Sequence, residues 1–128
     1  MTIKIIEVKT KRDLRKYIYL PEKIHANDEN WVPPIYSDEW NFYNPKKNKS
    51  FSYCDTILLL ALENGKVAGR IMGIINHRYN ELKNEKHGRF EFLECRDEPS
   101  VAHALISQVE DWAKNRGMNH LVGPLGFS

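Results

Sequence analysis

The sequence predicts an α+β fold built on one mixed α/β sheet, with elements in the order β-α-(α)-β-β-β-α-β. Three observations carry this expectation. Two strand-like runs, Asp55 to Leu62 and Lys66 to Asn76, flank Asn64-Gly65. That dipeptide suits a two-residue hairpin turn, which needs positive φ at both positions. Two further strand-like runs, Gly88 to Cys95 and residues 119–123, flank a long amphipathic segment at 99–116. A strand–helix–strand crossover of this kind is right-handed and sets its two strands parallel. A hairpin meander followed by that crossover makes the sheet mixed.

Each element has its own local reason. Residues 3–8, IKIIEV, read as a first strand. Thr10 starts a helix, with Asp13 three residues on, the spacing of a capping box. Leu14, Tyr17, Ile18 and Ile24 form its apolar stripe, and Pro21 predicts a kink or break after Leu20. Residues 27–53 hold three prolines and seven aromatics. They predict an ordered loop with a short helix at about 36–43. Gly69 and Gly73 interrupt the third strand, which suggests a bulge or a close backbone approach. Residues 77–88, HRYNELKNEKHG, read as a long polar connection. In the final helix Pro99 suits the first turn. Val101, Leu105, Val109 and Trp112 mark its apolar face, with Ala104 and Gln108 beside it. Gly117 suits the position after its end, with Lys114 and Arg116 complementing the dipole. Pro124 and Gly126 follow the last strand.

Bulk properties narrow the class. At 128 residues the chain is sized for a single domain, 1–128, around one core. Charged residues are 28% and hydrophobic residues 41%, ordinary values for a globular protein. Nineteen basic and 17 acidic residues leave a net charge of +2. That balance argues against nucleic acid as a partner. Cys54 and Cys95 make no disulfide framework and read as reduced thiols of a cytoplasmic protein. The N-terminus has no apolar run of signal-peptide length. The apolar run at 57–62 is too short to cross a bilayer, so no membrane partner is expected. None of the five histidines pairs with another His or Cys at a metal-ligand spacing, and no metal is expected.

Four stretches are similar to one family. They are NDENWVPPIYSDEWNFYNPKKN (27–48), GRIMGIINHRYNE (69–81), FEFLECRDE (90–98) and EDWAKNRGMNHLVGP (110–124). With the element order, they resemble the N-terminal part of a bacterial, mostly uncharacterised family of the GNAT superfamily of acyl-CoA-dependent N-acetyltransferases. The resemblance implies a GNAT-like acyl-CoA N-acyltransferase fold, N-terminal portion, with acetyl-CoA as cosubstrate and an unknown amine as acceptor. Members of that family usually continue past GPLGFS. This chain is therefore expected to be an N-terminal fragment or a short relative, apparently lacking the usual C-terminal strands. An uncapped last strand would leave an open sheet edge, a possible route to homo-oligomers.

The resemblance also implies a site. Acetyl transfer needs a neutral amine, a donor for the thioester oxygen and a proton for the leaving thiolate. The carbonyl-polarising backbone of the fourth strand maps to Phe92, Leu93 and Glu94. Glu94 or Glu91 is the candidate general base; the alternative is that both face solvent. The cofactor-binding residues implied are Phe92, Leu93, Cys95, Arg96, Ser100, Val101 and Ala102. The superfamily's pyrophosphate loop usually reads Gln/Arg-x-x-Gly-x-Gly/Ala. Here Ala102 keeps the final small residue, Ser100 replaces the first glycine, Asp97 stands at the Gln/Arg, and Arg96 is one residue early. Acids near a helix N-terminus stabilise it by roughly 0.3–1 kcal/mol each, but Asp97 and Glu98 would also repel a phosphate. A second reading follows: a degenerate GNAT fold serving as a non-catalytic binding or assembly module.

Three further groups stay open between chemistry and packing. Arg96 beside Cys95 would lower a thiol pKa, with His103 as the sequence-near base; otherwise Cys95 is a small buried hydrophobe. His77, Arg78 and Tyr79 line an acceptor pocket or form a polar turn network. The aromatic segment 31–53 walls the acceptor side or packs over the sheet, with Lys46, Lys47 and Lys49 as a solvated tip. Aromatics with lysines also suit single-stranded nucleic acid, which the charge balance argues against.

Overall fold

The computed structural model describes residues 2–125. Five strands form one sheet in sequential order. They are β1 (Ile3–Glu7), β2 (Cys54–Glu63), β3 (Lys66–Asn76), β4 (His87–Cys95) and β5 (His120–Val122). β1 to β4 pair antiparallel. β5 pairs parallel to β4, with His87 opposite His120 and Arg89 opposite Val122. The mixed sheet expected from the meander and crossover is therefore present. Four α-helices, α1 (Lys11–Ile24), α2 (Tyr36–Phe42), α3 (His77–Lys83) and α4 (Pro99–Asn115), and one 3-10 turn (Lys49–Ser52) complete the described fold. Gly126 lies outside the described residues.

Alternating sheet positions feed two cores. Leu60, Met72 and Ile74 pack with Tyr17 and Ile18 of α1 and with Tyr43. Leu59, Ala61 and Ile71 pack with Val101, Leu105 and Val109 of α4. The α4 residues are fully buried, as their spacing predicted. The two glycines of β3 explain how closely α4 sits. A methyl at Gly73 would lie 2.8 Å from Ile57 Cγ2 and 3.0 Å from Val109 Cγ1. One at Gly69 would lie 2.9 Å from both Val101 Cγ1 and Leu105 Cδ1. At the hairpin, Asn64 and Gly65 take φ of 52° and 83°, the two positive values that the turn demands.

The capping box at α1 is formed: Thr10 Oγ1 accepts from Asp13 N–H at 3.0 Å, and Asp13 accepts from Thr10 N–H at 3.4 Å. Of the kink or break expected at Pro21, the break does not form. α1 continues for 14 residues through Pro21 to Ile24. Proline removes the N–H that would bond the Tyr17 carbonyl, four residues earlier. A different donor takes its place. Arg70, only 5% exposed, donates from Nη1 to Tyr17 O at 2.8 Å. Its guanidinium carbon also lies 4.7 Å from the centre of the buried Tyr17 ring.

The polar connection at 77–88 needs a second correction. Residues His77–Lys83 form α3, because Asn76 caps it by accepting from Tyr79 N–H at 2.9 Å. Asn84 then ends it in the left-handed region, at φ 53°. The cap was legible in the sequence; the segment's high polarity obscured it. The final strand is shorter than expected, with three residues rather than five.

Gly73→Ala tests the contact between α4 and the sheet. The β-branched neighbours Ile57 and Val109 have little freedom to yield, so the variant should lose about 2 kcal/mol of stability in urea denaturation.

Candidate acyl-CoA and acceptor site

The site is built around an irregularity in β4. Arg70 pairs with Glu94 and Met72 with Glu91, so Ile71 alone opposes Phe92 and Leu93. This two-against-one step is a β-bulge. Phe92 sits at φ +60°, a left-handed conformation that costs a non-glycine residue of order 1–3 kcal/mol. Its surroundings hold it there. Its carbonyl accepts from Arg70 Nε at 3.3 Å. Its N–H donates to Glu91 Oε1 at 3.1 Å. Its ring meets Phe42 and Tyr43 edge-on, with centroids 5.5 Å and 6.1 Å apart.

The bulge divides the strand. β5 pairs only with His87–Arg89, and Leu125 N–H adds one bond to Phe90 O at 3.0 Å. From Glu91 to Cys95 the edge of β4 facing away from β3 has no strand partner among the described residues. Leu93 and Cys95 turn toward the α4 core, and Phe92 toward the α1 core. The structure thus brings Glu91, Phe92, Leu93, Glu94 and Cys95 to one open strand end, directly before α4.

The loop into α4 is acidic and partly self-satisfied. No side chain caps α4. The Val101 N–H turns back to Glu98 O at 3.0 Å, so the three expected free donors at Ser100, Val101 and Ala102 are reduced by one. Val101 is fully buried and serves the core. Arg96 is exposed, and its N–H extends the β3–β4 ladder by donating to Ala68 O at 2.9 Å. With Glu63, Asn64, Lys66, Val67 and Ala68, Arg96 lines an open groove of about 380 Å³. Glu98 faces the Glu63 carboxylate, close enough to share a proton, and this neighbour pushes the Glu98 carboxyl above its usual range. Glu63 Oε2 is itself buried without a well-formed hydrogen bond.

Of the two readings of Cys95, the structure favours the small residue packed against the core. Burial first, then the charges of Glu94 and Asp97, push the Cys95 thiol up rather than down. His103 is exposed on α4, while Cys95 packs in the core that α4 covers. Both cysteines are free. Among the described residues no cluster of three or more His, Cys, Asp or Glu is arranged to hold a metal.

One site residue escaped the sequence reading. His25, at the C-terminal end of α1, places Nε2 2.9 Å from Glu94 Oε1. Both side chains are about one-third exposed, at 34% and 31%. Trp31 stacks on the His25 ring, with centroids 5.9 Å apart and planes 18° from parallel. The pair is separated by 69 residues in the chain, so no local motif could announce it. The rest of the aromatic segment packs: Tyr36, Trp40, Phe42 and Phe51 lie against the α1-side core, and Lys46, Lys47 and Lys49 are exposed. His77, Arg78 and Tyr79 are also tied up. His77 pairs with Asp55 at 3.1 Å, Arg78 lies 4.0 Å from the Tyr53 ring centre, and Arg89 lies 4.3 Å from that of Tyr79.

No family model matches the chain. It is 32% identical over 127 residues to a bacterial ceramide synthase of Caulobacter vibrioides (strain NA1000 / CB15N), covering 98% of this chain and 33% of that protein. It is 28% identical over 118 residues to protein YghO of Escherichia coli (strain K12), covering 92% of this chain and 30% of that protein. The chain therefore spans about a third of the length of the curated relatives it matches. Among solved structures, a tandem GNAT protein from the clavulanic acid biosynthesis pathway superposes with a TM-score of 0.68, at 13% identity, over 94% of this chain and 35% of that one. The chain has the GNAT fold. Glucosamine-6-phosphate N-acetyltransferase from Arabidopsis thaliana superposes with a TM-score of 0.65, at 16% identity, over 98% of this chain and 84% of that one. At these identities the likeness is one of GNAT architecture. Among the described residues no helix is long and apolar enough to cross a membrane.

The Glu63–Glu98 contact predicts a pH dependence. A carboxyl raised in the folded state binds its proton more tightly there than in the unfolded chain. Stability should therefore fall as pH rises from the usual glutamate range through the raised pKa, then level off. Glu98→Gln should melt at a higher temperature than the parent at pH 7 and lose that advantage near pH 3, as read by circular dichroism.

Proposed function

We propose that this chain forms the acyl-CoA-binding part of an N-acyltransferase, one that joins an acyl group from a CoA thioester to an amine. The observation that carries the reading is the open end of β4 beyond the Phe92 bulge, which lies beside the first turn of α4. Extended backbone with one free edge can hold an extended thioester ligand by strand-like hydrogen bonds. The ceramide synthase among the relatives supports N-acylation and favours a long-chain acyl group over acetyl. A ceramide is, by definition, the N-acyl derivative of a long-chain amino alcohol.

The residues fit a division of labour. The Phe92 N–H is the candidate donor to the thioester oxygen. Glu91 now accepts that bond, so its carboxylate stands in for the oxygen it would yield to. This leaves Glu94 as the base. The amine nitrogen attacks the carbonyl carbon, the C–N bond forms and the C–S bond breaks. Starting from the ammonium, Glu94 accepts one proton to free the attacking nitrogen, and the departing thiolate takes the second. Leu93, Cys95, Arg96, Ser100 and Ala102 would flank the pantetheine and pyrophosphate, with Arg96 the cation of the set and Val101 buried behind them.

A second reading keeps the fold and drops the chemistry. Asp97, the Glu63–Glu98 pair and the engaged Val101 N–H favour a non-catalytic binding or assembly module. Calorimetry separates the two. Acetyl-CoA and a longer acyl-CoA are titrated at low salt into the parent and into Ser100→Glu. The transferase reading expects micromolar binding, tighter for the longer chain and weakened at least tenfold by the added charge at the helix N-terminus. No heat up to millimolar ligand would favour the binding-module reading.

A further inference from the structure

The acceptor is the least specified part of this reaction, and the surface around Glu94 bears on it. We infer that Glu94, His25 and Trp31 form the acceptor subsite, and that it takes a primary amine carried on an apolar chain. The inference rests on the N-acyltransferase reading above and narrows its substrate class.

Four observations point the same way. First, Glu94 lies just past the bulge, on the strand end offered to the thioester. His25 engages Oε1, and Oε2 has no hydrogen-bond partner among the described residues. A carboxylate about one-third exposed, with one oxygen fixed and the other open, is suited to an ammonium group. Second, the wall beside it is aromatic: Trp31 is stacked on His25. Aromatic faces favour cations and disfavour anions. Asp28 and Glu29, three and two residues before Trp31, add negative charge to the same loop.

Third, the chain next to Trp31 is apolar and uncovered. Val32 is 80% exposed and Ile35 is 68% exposed. Fourth, these side chains do not sit on a loose loop. Trp31 anchors one end of Val32-Pro33-Pro34-Ile35 on His25. At the other end Tyr36 stacks on Tyr19, with centroids 4.2 Å apart, and donates to Glu22 Oε1 at 3.1 Å. Both anchors lie on α1 or directly at its end. The two prolines between them restrict the backbone and offer no N–H to a polar ligand. A fixed apolar ledge that continues in the chain from Trp31, itself stacked on the partner of Glu94, matches an alkyl chain behind an ammonium head. A sugar amine or a peptide would leave the ledge bare.

His25 then acts through Glu94. Its Nε2 holds the carboxylate in place at 2.9 Å. The overall balance is ammonium plus thioester giving amide, free thiol and one released proton.

The test uses the intact chain, octylamine as the probe, and backbone and tryptophan-indole amide NMR. Octylamine below its aggregation limit should shift Glu94, Trp31 Nε1–H, Val32 and Ile35. Butylamine should bind more weakly and octanoate should leave these signals unmoved. Glu94→Gln should weaken octylamine roughly tenfold or more, the scale of one charge-assisted hydrogen bond. Val32→Asp with Ile35→Asp should reduce the preference for octylamine over butylamine. Both variants must keep the parent's amide dispersion; should either lose it, Glu94→Ala and Ile35→Ser serve in its place. Octylamine shifts confined to other residues, or unchanged by these substitutions, would overturn the inference. Acyl-CoA titrated into the same sample keeps the two readings apart. Binding of acyl-CoA without octylamine would sink the subsite alone, and binding of neither would sink both.

Discussion

A single buried guanidinium reconciles two irregular pieces of backbone. Pro21 leaves the Tyr17 carbonyl without its helical partner, and the bulge at Phe92 turns another carbonyl out of the sheet ladder. Arg70 reaches both, at 2.8 Å and 3.3 Å. No carboxylate lies within ion-pair distance of it among the described residues. Its charge is accommodated by two backbone carbonyls and the face of Tyr17 instead. A buried cation without a counter-ion is costly unless hydrogen-bonded. The arrangement therefore works only while α1 and the bulge stay where they are.

That linkage gives the site its geometry. The bulge frees the end of β4 from the strand order that β5 imposes near His87. It also places Glu94 on the α1 side, where the last residue of the helix region, His25, can meet it. α4 approaches from the other face because Gly69 and Gly73 let it. Leu93 and Cys95 thus face the α4 core, Phe92 faces the α1 core, and Glu94 meets His25 on the α1 side. Behind the bulge, burial pushes the Tyr43 phenol up to about 12, so it keeps its proton and acts as packing.

Much of the fold was legible because its signals are local. The Asn64-Gly65 turn, the Thr10–Asp13 cap, the α4 stripe ending at Gly117 and the small residues of β3 each follow from neighbours in sequence. At Pro21 a distant group overrode a local rule. Pro21 should kink or break a helix, yet α1 runs through it, and Arg70, far along the chain, bonds the Tyr17 carbonyl. In the sequence Cys95 is open between a reactive thiol and a small buried residue, and burial, with the nearby Glu94 and Asp97, pushes its thiol up. At α3 the signal was local, since Asn76 announced its cap. At the site, Glu91 and Glu94 could be named from the strand, but not told apart. In the structure Glu91 bonds its neighbour Phe92 N–H, while Glu94 meets His25, 69 residues away.

The central claim is that Arg70 substitutes for the hydrogen bond that Pro21 removes, and so ties α1 to the bulge. A double-mutant cycle with Arg70→Met and Pro21→Ala, followed by urea denaturation, measures this directly. Arg70→Met alone should cost roughly 3 kcal/mol, from two carbonyls left without a donor. In the Pro21→Ala background, where residue 21 regains its N–H, the same change should cost about 1 kcal/mol less. Strictly additive effects would contradict the account, because Arg70 would then be serving some purpose other than the Tyr17 carbonyl.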